Sequence, residues 1–374
     1  MSREPRPAYS TIAIAGVGLI GASLGLALRR GGFRGGILGV SQPRSLEDAR
    51  RLGAIDEGFP YERLAEAAGR ADLVVLSSPI SVIVSHLRAL GEAGRLLRPG
   101  TVITDVGSTK AEILRAAGRC LPAGIPFIGG HPLAGSEQRG AGAADPFLFQ
   151  NAYYVLTPAP GVDEAEVERL HAFLKPTGAR VVTLTAEQHD RVAAAISHLP
   201  QLLAVSLVNS LVDLGDQRDV AIHLAAGGFR DMTRIASSSF SVWRDILSTN
   251  RREVIDALER FIRRLRDDTA ELDPGRLEAA FAEASRTRRE IPKDTKGFLG
   301  ELCDLLVEVE DTPGTISRLA GPLAAKGISV KDIEVLKVRE GEGGTMRLAF
   351  ASRALAREAL DELHRAGFRA RLRD

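Results

Sequence analysis

A short apolar run, Thr11-Ile12-Ala13-Ile14-Ala15, leads directly into Gly16-Val17-Gly18-Leu19-Ile20-Gly21, and apolar residues then recur at three- and four-residue spacing through Ala22–Arg30. A strand that turns on glycines into a helix has few structural solutions. The first glycine permits the tight turn, the second lets a backbone approach a pyrophosphate, and the third lets the helix pack closely on the strand. The helix N-terminus adds a site that favours an anion. Gly16, Gly18, Leu19, Ile20 and Gly21 are therefore candidate dinucleotide-binding residues, and the chain should begin with a doubly wound α/β domain.

The rest of residues 1–185 keeps that rhythm. Strands are expected at Ile37–Val40, Leu73–Leu76, Val102–Thr104, Pro126–Ile128, Tyr153–Leu156 and Val181–Leu184, with helical patterns such as Arg44–Leu52 and Val82–Leu90 between them. Such alternation predicts a largely parallel sheet. Across residues 186–290 the alternation disappears, and helical patterns run through Val192–Leu214 and Arg251–Leu272. The first is apolar nearly all round, which predicts burial inside a helical bundle or at a subunit interface and hence a homodimer. After a charged linker, residues 297–374 read as strands Leu302–Val309, Ile328–Val338, Thr345–Ala351 and Phe368–Leu372 with helices Gly314–Lys326 and Leu355–Ala366. That order, βαββαβ, is the ferredoxin-like arrangement. A length of 374 residues suits these three units.

Charge and cysteine content narrow the function. Lys plus Arg number 49 against 48 Asp plus Glu, so the excess positive charge of a nucleic-acid binder is absent. Cys120 and Cys303 are far apart in sequence and offer neither a zinc spacing nor a disulfide framework, so no metal is expected and a reducing cytoplasm fits. The first ten residues lack the apolar run of a signal peptide, and Leu73–Val84 is too short and interrupted to span a bilayer. The expectation is a cytoplasmic protein with no membrane partner.

Several candidate site residues stand just past expected strand ends, where ligands bind in open α/β sheets. The second strand ends Gly39-Val40-Ser41-Gln42-Pro43-Arg44, where NAD-preferring folds usually place an acid on the ribose. Ser41 and Arg44 instead leave room for a 2′-phosphate, which favours NADP over NAD. Ser78 and Pro79 follow the third expected strand, and Asp105 and Ser108 the fourth. His131, held between Gly130 and Pro132 after the fifth, suits a general base for a hydroxyl whose carbon loses hydride. Further on, Arg230 and Arg234 are four apart on a helical pattern, so they share a face and form either a carboxylate clamp or a solvated basic stripe.

The motifs Gly16-Val17-Gly18-Leu19-Ile20-Gly21, Asp105-Val106-Gly107-Ser108-Thr109-Lys110, Gly130-His131-Pro132-Leu133-Ala134-Gly135-Ser136-Glu137, Ser197-His198-Leu199-Pro200 and Gly227-Gly228-Phe229-Arg230-Asp231-Met232-Thr233-Arg234-Ile235-Ala236 together resemble prephenate dehydrogenase and its arogenate-using relatives, the TyrA family of tyrosine biosynthesis. The resemblance implies oxidative decarboxylation of prephenate, or of arogenate, with hydride transfer to NAD(P). It makes His131 the hydrogen-bond partner of the ring hydroxyl and sets Ser108 beside that hydroxyl and the nicotinamide. Arg234 matches the arginine that holds substrate carboxylate, with Arg230 as a second basic residue and His189 and Asp190 orienting that arginine. Ser136 and Glu137 match a substrate-gating turn, Trp243 an aromatic near the pocket, and His198, Gln201 and Gly227 belong to the same substrate-binding set. Where many prephenate-using members read His-Leu-Pro-His, this chain reads His198-Leu199-Pro200-Gln201, which gives weight to arogenate.

The C-terminal segment resembles an ACT domain. There Asp311-Thr312-Pro313-Gly314 enters the first helix, and the backbone amides at that turn suit the carboxylate of an effector amino acid, with tyrosine implied by the resemblance. Two competing readings are a β-hydroxyacid or 3-hydroxyacyl dehydrogenase and a ligand-sensing regulator that has lost catalysis. The first differs in the motif after the fifth strand. Intact His131, Ser108 and Arg234 oppose the second.

Overall fold

The computed structural model describes residues 9–135, 138–291, 302–339 and 343–373. Two units divide the chain, residues 1–286 and 287–374. Eight strands form the sheet of the first: β1 (Thr11–Ala15), β2 (Gly36–Val40), β3 (Glu57–Phe59), β4 (Leu73–Leu76), β5 (Val102–Asp105), β6 (Phe127–Pro132), β7 (Tyr153–Pro158) and β8 (Arg180–Thr183), in the order β3-β2-β1-β4-β5-β6-β7-β8. Every pairing is parallel except β6 with β7. The central strands are apolar without alternation because both faces are covered. Ile12 and Ile14 enter the core layer on one side of the sheet, and Ala13 and Ala15 the layer on the other.

The expected strands are all present, and one more, β3, pairs at the edge with β2. Its three residues, Glu57-Gly58-Phe59, are too few and too polar to show a strand pattern, and only Phe59 is buried. Strand order reverses between β1 and β4, so the loops after these two strands part there. Gly16 closes this point. Its φ is +98°, and a Cβ on it would lie 2.1 Å from the Ser77 carbonyl oxygen in the loop after β4.

In the helical part, residues 186–224 are helical apart from a break at Gly215, whose φ is +54°, and among the described residues this stretch, rather than Leu73–Val84, is long and apolar enough by length and composition to cross a membrane. The predicted burial of Val192–Leu214 within a bundle is not what the single chain shows. Val192, Ile196, Val212 and Leu214 are exposed, as are Val220 and Leu224 beyond them, because no second helix among the described residues of this unit covers that side. Subunit contact is the alternative that this exposure leaves open. A wide π turn occupies Ala194–His198, just before Leu199–Asn209. Pro200 explains it, since a proline has no N–H to donate four residues back and its ring crowds that carbonyl, here that of Ile196. The helix Arg251–Thr269 follows, and Pro274 opens a further helix to Glu290.

The second unit has the expected βαββαβ order, with β9 (Cys303–Val309), β10 (Asp332–Arg339), β11 (Gly343–Phe350) and β12 (Ala370–Leu372) in the order β10-β11-β9-β12, all antiparallel. Helices Thr315–Ala325 and Arg353–Arg365 cover one face, closing a core that includes Leu305, Val307, Leu348 and Phe350. Strand β10 begins at Asp332, four residues later than the pattern predicts, because Ile328 is spent closing the preceding helix against the core.

Replacing Gly16 with Ala should therefore lower stability by about 2 kcal/mol or more, from the left-handed backbone and the collision with Ser77. Urea denaturation checks this, and an unchanged midpoint would mean that the turn relaxes freely.

Candidate active site

At the carboxyl end of the sheet, the loop after β5 and the end of β6 are fastened to one buried ion pair. Asp105, the last residue of β5, and Lys110, which ends the following loop, are both fully buried and in direct contact. Asp105 also accepts from Gly107 N at 2.7 Å and Gly130 N at 3.0 Å, while Lys110 Nζ donates to the Gly130 carbonyl at 2.6 Å. Ser108 follows Gly107 and His131 follows Gly130. The pair thus sets the spacing of the two loops that carry the expected catalytic residues. Burial pushes the Asp105 carboxyl up and the Lys110 ammonium down, and their mutual attraction opposes both shifts. Asp105 was expected to touch the cofactor; its position instead is internal, because every oxygen is turned onto the backbone and Lys110.

A second chain of contacts runs from the helical part to His131. The carboxylate of Asp190 accepts from Lys110 N at 2.7 Å and Ala111 N at 2.9 Å, which caps the start of the helix Ala111–Cys120. Asp190 Oδ1 also meets His189 Nδ1 at 2.8 Å, and His189 Nε2 meets His131 Nδ1 at 2.7 Å. His189 and Asp190 were expected to orient Arg234. These bonds direct them to His131 and to the helix start instead, since both lie on the buried face of the helix Ala186–Ala193, which packs against β7 and the helix Ala111–Cys120. A carboxylate only accepts, so His189 donates through Nδ1 and accepts at Nε2; His131 then donates through Nδ1 and presents a bare Nε2. Burial, with His189, Lys110 and His198 nearby, holds the His131 pKa well below the usual histidine value. His131 is neutral near pH 7.

His198 is buried behind this chain and stands edge-on to Trp243 at 6.0 Å between centroids. Burial pushes its pKa down to about 4. Asn250 donates to the Asp190 carbonyl at 2.8 Å and lies 3.2 Å from His198 Nδ1. Gln201, also buried, donates to the Ile235 carbonyl at 3.0 Å and so holds the turn Arg234–Ser237 that presents Arg234. Arg230, Arg234 and Gly227 lie on exposed backbone, with Arg230 Nε donating to the Ala225 carbonyl at 3.1 Å. Ser136 and Glu137 lie outside the described residues.

The glycine turn fits a dinucleotide. A Cβ on Gly16 or Gly21 would collide with backbone at 2.1 or 2.2 Å, whereas one on Gly18 would meet nothing within 4 Å, so the middle glycine faces open space at the head of the helix Leu19–Arg30. Leu19 and Ile20 begin that helix. Ser78 Oγ lies 3.5 Å from the Ala15 carbonyl, which sets Ser78 and Pro79 across the switch point from the glycines. Ser41 is buried at the end of β2, 3.5 Å from the Tyr61 hydroxyl, and Arg44 is exposed. No group of His, Cys, Asp and Glu among the described residues has a metal-binding arrangement.

Sequence reasoning assigned no role to Lys110 or Asn250. Lys110 stood inside a quoted motif, but a lysine at a helix start reads as solvated, and Asn250 meets Asp190 across 60 residues of chain. If the pair couples the loops, Lys110→Met and Asp105→Asn should each cost about 3–5 kcal/mol, and the double variant should fall short of the sum by at least ~1 kcal/mol. Equilibrium denaturation measures all three, and strictly additive losses would show two independent side chains.

Comparison with known proteins identifies the domains. Residues 24–183 match the model of the prephenate dehydrogenase nucleotide-binding domain, residues 185–283 that of the prephenate dehydrogenase dimerization domain, and residues 304–368 that of the ACT domain. Prephenate dehydrogenase of Bacillus subtilis is 37% identical over 346 residues, 91% of this chain and 92% of that protein. Among solved structures, prephenate dehydrogenase from A. aeolicus in complex with hydroxyphenyl propionate and NAD+ matches with a TM-score of 0.69 at 31% identity, covering 76% of this chain and 98% of that one. Synechocystis arogenate dehydrogenase matches with a TM-score of 0.67 at 30% identity, covering 75% and 100%. With these motifs on this scaffold, and a curated relative matched over almost its whole length, the chain belongs to the prephenate dehydrogenase family.

Proposed function

We propose that the chain removes hydride and carbon dioxide from prephenate, giving 4-hydroxyphenylpyruvate, with His131 as the group that handles the hydroxyl proton. The chain Asp190–His189–His131 carries this reading, because it leaves a neutral imidazole with one bare nitrogen at a strand end beside the Ser108 loop. A dinucleotide bound at Gly16–Gly21 supplies the hydride acceptor.

Proton balance explains why so little machinery is needed. As the hydroxyl-bearing carbon loses hydride, its oxygen moves towards a carbonyl and its proton passes to His131 Nε2. When the carbon–carboxylate bond breaks, its electron pair returns through the ring to that oxygen, which takes a proton back as the phenol. His131 only lends a base, and ring aromaticity supplies the driving force. His189 stabilises the protonated state, since its Nε2 accepts from the imidazolium while Asp190 holds its other nitrogen. Ser108 hydrogen-bonds the hydroxyl at the nicotinamide end. Arg234, on the turn fastened by Gln201, binds a substrate carboxylate, with Arg230 as a second cation.

Gln201 favours a second reading on the same scaffold. A cationic histidine there would suit a pyruvyl side chain, whereas neutral Gln201 also tolerates the ammonium group of arogenate. Ser41, neutral at the end of β2, does not repel a 2′-phosphate, so NADP is the proposed acceptor ahead of NAD. Steady-state kinetics with the four pairings of prephenate or arogenate with NAD or NADP test both points. Turnover of none of them would end the proposal, and strict use of NAD would end its NADP part.

The exposed apolar side of residues 186–224, in a segment that matches a dimerization domain, supports a homodimer. Both cysteines are free thiols, which suits a reducing compartment, and we place the enzyme in the cytoplasm. In the C-terminal unit a cavity of about 250 Å³ is lined by Asp311, Thr312, Gly314, Thr315 and Ser317, among others. Together with Pro313 these form the turn into the helix Thr315–Ala325, and we assign it to tyrosine acting as an inhibitor.

His131→Asn should lower kcat by about 10²–10⁴-fold with cofactor affinity retained. Because the reaction needs neutral His131 and its folded pKa is depressed, kcat in the wild type should fall only as pH drops below about 6.5; an acid limb centred at or above pH 7 would contradict the assignment. For the C-terminal unit, Ser317→Phe should fill the cavity and abolish inhibition by tyrosine while basal turnover persists. Unchanged inhibition would move the tyrosine site elsewhere.

A further inference from the structure

A cavity of about 680 Å³ opens between the first turn of the helix Pro43–Arg51 and the loop 138–143 that follows β6. Arg44, Ser45 and Asp48 line it from the helix, and Arg139 and Gly140 from the loop. Its charge is unbalanced. Asp48 is taken by Arg51 at 2.8 Å, whereas neither Arg44 nor Arg139 has a hydrogen-bond or ion-pair partner among the described residues. The helix adds donors of its own, for it has no side-chain cap and no acid in its first turn. Pro43 carries no N–H, and the first bond back to the N-cap is that of Leu46, at 3.1 Å to Gln42 O. The amides of Arg44 and Ser45 therefore stand free at the positive end of the helix. Two guanidinium groups, two amides and the Ser45 hydroxyl thus face one space with no uncommitted acid among the described residues that line it. That space lies immediately beyond β2, whose final turn holds Ser41.

We propose that this cavity is a subsite for a phosphate monoester, and that Arg139, reaching in from the loop after β6, binds the 2′-phosphate of NADP together with Arg44. The inference rests on the NADP reading above and adds a residue far from the strand end where such selectivity is usually sought. A dianionic phosphate matches two planar guanidinium donors approaching from separate elements.

Calorimetric titration of the full-length chain with adenosine 2′,5′-bisphosphate, adenosine 5′-monophosphate and inorganic phosphate tests this apart from turnover. In the wild type the bisphosphate should bind more tightly than the monophosphate. Arg139→Gln and Arg44→Gln should each weaken the bisphosphate by about 10- to 100-fold and leave the monophosphate within about twofold. Arg139 is exposed, so its variant keeps the fold. If the wild type does not distinguish the two nucleotides, the NADP reading fails and this inference with it. If it does, and only Arg44→Gln weakens the bisphosphate, the NADP reading stands and the role of Arg139 is overturned. Inorganic phosphate binding as tightly as the bisphosphate would overturn it too, since the site would then serve the free anion.

Discussion

The Asp105–Lys110 pair is the constraint on which the rest of the site depends. It lies wholly out of water, where a lone charge is costly and the loss of either partner strands the other. Each partner therefore gathers backbone groups. Asp105 takes the amides of Gly107 and Gly130, Lys110 takes the Gly130 carbonyl, and the Lys110 amide holds Asp190. One buried contact thereby relates the Ser108 loop, the strand carrying His131 and the helix that supplies His189 and Asp190. Ser108 and His131 themselves remain partly accessible, which leaves room for the substrate contacts proposed for them.

Much of this was legible in the sequence where the signal was local. The glycine turn, the strand alternation and the βαββαβ tail are written in consecutive residues, and the structure follows them to within a few positions. His131 stood out because glycine and proline pin it at a strand end. What escaped notice depends on distance along the chain. The relay joins His131 to a histidine 58 residues on, and Asn250 reaches back to Asp190, so neither pairing leaves a spacing to read. Strand β3 was missed for the opposite reason: three residues at a sheet edge carry too little apolar pattern.

Val192–Leu214 shows what periodicity leaves open. An all-round apolar helix was expected to be buried in a bundle or at a subunit interface, and the single chain fully buries only small and polar positions, such as Ala194, His198, Gln201 and Ala204. Val192, Ile196, Val212 and Leu214 face out, Leu199 and Leu202 pack partly against a small core, and His198 and Gln201 face in. Composition alone does not distinguish a helix buried by its own chain from one kept apolar for contact with another. The orientation is set by His198 and Gln201, which must reach Asn250 and the turn bearing Arg234.

The π turn at Ala194–His198 carries a consequence for how insertions and deletions are tolerated. A helix that holds one extra residue in a single turn advances every following side chain by about 100° relative to an unbroken helix. Pro200 keeps that turn wide. Excision of one residue between Ala194 and His198 would restore an even helix and turn the surface beyond it by that angle, carrying Gln201 off the Arg234 turn and bringing valines and leucines inward. Length variation in this family should then be permitted on the loops around the sheet and forbidden here, because the residue count across five positions encodes which side of the helix faces the turn Arg234–Ser237.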